Sequence, residues 1–235
     1  MIYLIDLDMI DDGLEALLSG ALQDKTEYKR YYHRQNQIAH LCSATIPKAL
    51  GSALGYYTQG DIVSRGRFGK PYVASSAYAF NVSHSGKYMV VVYNTKAVGI
   101  DIEKVGECDK NVIKECFSKE EGVYVLVAKG VEKHHRFTDI WTAKESYFKY
   151  LGDGIGDNMS SISVFTTHIR EMIITERLAA DREYSLSVCC QNVRAFADEG
   201  NRLRIKVLSY EEIATLFLLG GENYADNCIK LKRSV

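Results

Sequence analysis

The sequence predicts an α+β protein of two similar lobes, each with helices packed on a mostly antiparallel sheet. Two observations predict it: stretches of strand period and helix period alternate along the chain, and the order of strand, helices and strands in the first half resembles that in the second. The 235 residues also contain no short-period repeat and no proline-rich linker, so the lobes, taken as residues 1–104 and 105–235, should share an interface. A ligand site between them is the expected place for function.

Ile2–Leu7 alternates like a strand, and Asp11–Leu22 places apolar residues at 14, 17, 18, 21 and 22, the period of an amphipathic helix. Lys25 to about Leu50 stays helical, with Pro47 near a helix start or in a break. Gly51–Pro71 reads as loop with short strands. Met89–Tyr93 and Ala97–Glu103 are β-branched runs flanking Asn94–Lys96, so they predict a hairpin. Asn111–Phe117 and Lys119–Lys129 read as helices, the second opened by a capping box from Ser118 to Glu121. Phe137–Leu151 is the strongest helix, stopped by the glycines of 152–156. Ser161–Thr167, Ile169–Thr175, Tyr184–Cys190 and Leu203–Ser209 predict strands, and Tyr210–Leu219 a short helix.

Composition excludes several classes. Apolar residues at 46% and charged residues at 25% are globular values, not those of a disordered chain. With 29 basic against 30 acidic residues the net charge is −1, so no global field attracts nucleic acid, and any anion site must be local. No apolar run approaches the ~20 residues of a membrane span. The acidic start MIYLIDLDMIDD is unlike a signal peptide, and six cysteines without CxxC spacing read as reduced thiols. A cytoplasmic protein is expected.

Three segments carry polar groups that a core does not need. In Gly99-Ile-Asp-Ile-Glu103, strand alternation puts Asp101 and Glu103 on one face, where two anions repel unless a cation lies between them. Mg²⁺ suits such a pair, taking one or two carboxylates and leaving positions for phosphate oxygens. An isolated pair of this kind is most often a solvated strand face. In Trp141-Thr-Ala-Lys-Glu-Ser-Tyr-Phe-Lys149, helical spacing sets Trp141, Glu145 and Lys149 on one face. Alone, Glu145 and Lys149 make an ordinary surface pair; against the 101/103 strand they become a third carboxylate and a phosphate partner. Phe80-Asn-Val-Ser-His-Ser-Gly86 offers hydroxyl, imidazole and amide groups to a phosphate, or else forms a polar turn. Two basic clusters, Arg65/Arg67/Lys70 and Lys25/Lys29/Arg30/His33/Arg34, look like local anion sites, although charge runs are usually solvated faces.

Taken in order, Gly69-Lys70-Pro71, Phe80–Gly86, Gly99–Glu103, Phe117-Ser-Lys-Glu-Glu121 and Trp141–Lys149 resemble the 4′-phosphopantetheinyl transferases of the long, pseudo-dimeric, surfactin-synthetase-activating type. The resemblance implies Mg²⁺-dependent transfer of the phosphopantetheine arm of coenzyme A to a serine of a carrier protein, releasing adenosine 3′,5′-bisphosphate. It makes Asp101, Glu103 and Glu145 the metal ligands and Glu145 also the general base. Lys149 falls on the pyrophosphate, Ser83 and His84 on the 3′-phosphate, and Lys70 and Pro71 on the adenine and phosphate loop. Asp24 and Glu27 stand where relatives often have lysines, with Lys25 and Lys29 beside them. A pseudo-dimer in one chain makes a monomer sufficient. The competing readings are a non-catalytic coenzyme A or nucleotide-binding module and a metal-dependent phosphodiesterase.

Overall fold

The computed structural model describes residues 1–218 except 23, 59, 153, 155–157 and 180. Strand β1 (Ile2–Asp6) leads into helix α1 (Asp12–Gly20), which starts where the Asp11 carboxylate accepts the Leu14 N–H at 2.8 Å and which buries Leu14 and Leu18. The single helix expected from Lys25 divides into a 3-10 turn at Glu27–Arg30 and helix α2 (Arg34–Ala53). Pro47 lies inside α2, and its carbonyl accepts the Tyr93 hydroxyl at 2.6 Å. Strands β2 (Val63–Arg65) and β3 (Pro71–Val73) form a small ribbon in the glycine-rich stretch.

Strands β4 (Ala79–Ser85) and β5 (Tyr88–Asn94) pair antiparallel across Gly86 and Lys87. The hairpin expected between Met89–Tyr93 and Ala97–Glu103 does not form. Both edges of β5 are taken, by β4 and by β1, and strand β6 (Gly99–Lys104) joins another sheet. Every β5 residue is buried, as a central strand covered on both faces requires.

The second half runs through helices α3 (Lys110–Cys116), α4 (Lys119–Leu126) and α5 (Val131–Leu151), then α6 (Thr167–Arg170), strands β7 (Ile173–Arg177), β8 (Tyr184–Cys189) and β9 (Ile205–Val207), and helix α7 (Tyr210–Leu218). The capping box is present: Ser118 Oγ accepts the Glu121 N–H and Glu121 Oε2 accepts the Ser118 N–H. Gly152, at φ 80°, ends α5; of the four residues after it in the expected stop, only Gly154 is also described. Leu219, expected in the last helix, lies outside the described residues.

Ser161–Thr167 is not the expected strand. The backbone groups there are spoken for by a buried ion pair, since Val164 N–H donates to Glu121 Oε1 and the Ile162 carbonyl accepts from Lys144. Ile169 belongs to α6, so the next strand starts four residues late, at Ile173.

The strand orders are β4-β5-β1-β9 and β6-β8-β7. One plan therefore occurs twice: a first strand, helices, then two strands of which the last pairs antiparallel with both others. Residue 104 ends β6, whose neighbour is β8, while β9 returns to lie parallel to β1. Ile2, Leu4, Val90 and Val92 of the first sheet share a buried core with Ile100, Ile102, Leu186 and Val188 of the second. The opposite face of the first sheet packs on α1, α2 and α7.

The edge strands β4 and β6 meet through side chains. Asn81 Oδ1 accepts the Ile100 N–H at 2.8 Å, and Ser85 Oγ accepts the Lys104 N–H at 3.0 Å. Between them Ser83 Oγ donates to Asp101 Oδ1 at 2.7 Å. The run Phe80–Gly86, which admits a polar turn by sequence, is thus a strand whose alternate polar groups join the two sheets. Among the described residues, no helix is long and apolar enough to cross a membrane.

Candidate active site

Strand β6 turns Ile100 and Ile102 into the shared core and Asp101 and Glu103 to its other face. Helix α5 lies on that face because β6 begins with Gly99, where any Cβ would overlap the Ser146 carbonyl and the Tyr150 nitrogen. Successive turns of α5 bring Trp141, Glu145 and Lys149 to the strand, so the expected meeting of strand and helix occurs.

The electrostatics are those of crowded anions. Asp101 is only 2% exposed. Lys149 Nζ lies 2.6 Å from its Oδ1 and 2.9 Å from Ser83 Oγ. Its Oδ2 is buried with no hydrogen-bond partner. Burial raises the Asp101 carboxyl above the usual range despite Lys149 and Ser83. Burial and then the Asp101 charge raise Glu103, which also accepts from Ser85 at 2.7 Å. Glu145 is pushed up to about 7, by burial first and then by Asp101, with Glu103 adding and Lys149 opposing. Among the described residues, no three His, Cys, Asp or Glu side chains stand close enough to hold a metal ion as they are.

Two cavities lie nearby, and Glu145 and Lys149 line one of them. One, of about 330 Å³, lies between the 68–71 loop and α5 and is lined by Phe68, Lys70, Asn81, Glu145, Phe148 and Lys149. The other, of about 660 Å³, lies between α2, the small ribbon and β4, with Tyr31, His40, Lys48, Arg65 and His84 in its wall and Glu27 at its edge. Pro71 and Val82 line both.

Alternation along β4 separates Ser83 from His84: Ser83 faces Asp101 and Lys149, and His84 faces the larger cavity. Desolvation by its neighbours, then the Lys149 and His40 charges, lower the pKa of His84. Lys70 lines the smaller cavity with its stem, but its ammonium donates to the carbonyls of Val98, Lys149 and Tyr150. Of the basic helix cluster, Arg34 is paired with Asp12 and Glu15 and Arg30 with Asp24.

The sequence reading missed His40 and Lys48. Their spacing of eight puts them on one face of α2, away from the buried Leu41 and Leu50, which was the available signal. It also missed the Lys144–Glu121 pair, 2.8 Å apart with neither side chain exposed. Lys144 immediately precedes Glu145 on α5, but points to the other side of the helix, onto α4 and the 162 carbonyl.

A family model described as the 4′-phosphopantetheinyl transferase superfamily matches residues 97–216, from the start of the metal-strand candidate to α7. A "4′-phosphopantetheinyl transferase" of Bacillus subtilis is 29% identical over 215 residues, 86% of this chain and 92% of that protein. The "4′-phosphopantetheinyl transferase Sfp" of Bacillus subtilis strain 168 is 27% identical over 222 residues, 89% of this chain and 96% of its own length. The "4′-phosphopantetheinyl transferase HetI" of a Nostoc species is 28% identical over 168 residues, 66% of this chain and 69% of that one. With half of the chain under the family model and these relatives spanning most of the rest, the chain belongs to the 4′-phosphopantetheinyl transferase superfamily, and its chemistry is transfer of a phosphopantetheinyl group.

Proposed function

We propose that this chain transfers 4′-phosphopantetheine from coenzyme A to a serine of an acyl, peptidyl or polyketide carrier protein, with Mg²⁺, and releases adenosine 3′,5′-bisphosphate. The observation that carries it is the buried, unpartnered Oδ2 of Asp101 beside Lys149, which with Glu145 lines the smaller of two cavities that share Pro71 and Val82. A long ligand anionic at both its nucleotide and its pyrophosphate suits that arrangement: Lys48, Arg65 and His84 offer donors at one end and Lys149 a donor at the other.

The residues present fit a hard divalent cation. Asp101 keeps one free buried oxygen, and Glu103 and Glu145 repel it and each other, so Asp101, Glu103 and Glu145 would hold the ion. When bound, Mg²⁺ would neutralise pyrophosphate charge and polarise the phosphorus.

Glu145 lines the smaller cavity beside Lys149, and the resemblance makes it the general base. The carrier's serine Oγ bonds to the phosphorus that bears the pantetheine, its proton goes to Glu145, and the bond from that phosphorus to the bridging oxygen breaks. The electron pair leaves on adenosine 3′,5′-bisphosphate. Lys149 donates to the pyrophosphate and Lys70 steadies the end of α5 from behind. The same reading makes the protein a cytoplasmic monomer, in keeping with cavities formed within one chain and five described cysteines that are free thiols.

Mass spectrometry of an apo carrier protein incubated with this protein, coenzyme A and Mg²⁺ tests it. The carrier should gain one phosphopantetheinyl group. Coenzyme A cleaved without any gain would favour a phosphodiesterase, and coenzyme A bound but intact a non-catalytic module.

A further inference from the structure

We propose, resting on the transfer reading above, that Lys149 is a resident counter-ion of the metal subsite: its ammonium occupies Asp101 until a divalent cation arrives, and then moves to the ligand's phosphates. The ammonium is 2.6 Å from Asp101 Oδ1 and 2.9 Å from Ser83 Oγ, a charge-assisted contact with the most buried of three mutually repelling carboxylates. Asp101 Oδ2 remains unpartnered, so Lys149 neutralises the group without satisfying it.

What can move is the side chain and not the helix. The Lys149 carbonyl accepts from Lys70, and the helix backbone next to it touches Gly99. The Lys149 side chain itself is 28% exposed, and it lines the 330 Å³ cavity together with Glu145. Lys144, one and a half turns earlier on the same helix, shows the contrast: with no exposure and with Glu121 and the Ile162 carbonyl as acceptors, it has nowhere to go. A cation entering at Asp101 competes with the ammonium for the same carboxylate, and the phosphates of the incoming ligand give the ammonium a new partner. Metal and ligand then favour each other's binding, because each removes what the other must displace.

Binding of Mn²⁺, followed by electron paramagnetic resonance without coenzyme A, tests this in the full-length protein. Lys149→Met should bind Mn²⁺ about tenfold or more tightly than the natural protein, whereas Lys149→Arg, which keeps the charge, should bind it as the natural protein does. Ser83→Ala, which removes one acceptor of Lys149 and one donor to Asp101, should tighten binding by less. Thermal unfolding checks that each variant is folded; should Lys149→Met fail to fold, the Ser83→Ala arm decides. Equal or weaker Mn²⁺ binding in Lys149→Met, or in Ser83→Ala where that arm decides, overturns the counter-ion role and leaves the transfer reading standing. Absence of Mn²⁺ binding by the natural protein even with coenzyme A present overturns the metal-dependent transfer reading as well.

Discussion

The ammonium of Lys70 donates to the backbone carbonyl of Lys149, 79 residues further along the chain, and so ties the loop before β3 to the last turn of α5. Burial lowers its pKa to about 8. A lysine whose folded pKa lies below its unfolded value of 10.5 costs stability where both states are protonated, below about pH 8, and that cost disappears as the pH rises to 10.5. The natural protein should therefore gain stability relative to Lys70→Met between pH 8 and 10 in denaturant unfolding. Parallel stability curves for the two proteins over that range would reject the buried-ammonium account.

Lys144 and Glu121 form a pair with no solvent exposure on either side. Removing one partner of such a pair leaves an uncompensated buried charge and costs about 3–5 kcal/mol. For a chain of this length that corresponds to a fall in Tm of roughly 6–20 °C. Lys144→Met should show it in calorimetry, and a Tm within a degree or two of the natural protein would contradict the charged pair.

His84 stands in the wall of the larger cavity with Lys48 and Arg65. A charge-assisted hydrogen bond contributes about 1.5–3 kcal/mol, so His84→Ala should weaken coenzyme A binding roughly ten- to a hundredfold. Comparing coenzyme A with its dephospho form by calorimetry locates the contact. The variant should lose the preference for coenzyme A; a preference kept in full assigns the 3′-phosphate to other residues.

The proposed carrier protein needs a docking surface, and residues 111–124 offer a candidate for an acidic one. Lys114 and Lys119 are exposed there, but Ile113 and Phe117 are buried in the α3–α5 core, which leaves Val123 and Tyr124 as the open apolar groups. Lys114→Glu combined with Lys119→Glu should raise the carrier's KM at low salt and leave coenzyme A affinity unchanged. An unaltered carrier KM moves the docking surface elsewhere.

Period made the two halves of the charged centre legible, since a spacing of two pairs Asp101 with Glu103 and a spacing of four aligns Glu145 with Lys149, but only the family resemblance joined the halves into one site. What period cannot show is which neighbour satisfies a backbone or a side chain. Phe80–Gly86 admits a turn by sequence because Asn81, Ser83 and Ser85 face another strand's edge instead of the core. Ile162 and Val164 alternate like a strand, yet their backbone groups serve Lys144 and Glu121. The misplaced hairpin has the same origin, since local pattern does not say whether β5 pairs with β4 on its N-terminal side or with β6 on its C-terminal side.

The seam between β4 and β6 also bears on solubility. Each is the edge of its sheet, and an open edge is a template on which another chain can add a strand. Asn81 and Ser85 occupy β6 N–H groups that such a strand would need, and they do so at a spacing of four that admits no slip by one residue. Two adhesive borders thereby cap each other inside one molecule, and Asp101, the carboxylate proposed to hold the metal, sits between the two clasps, so the seam that closes both edges also fixes the position of that carboxylate.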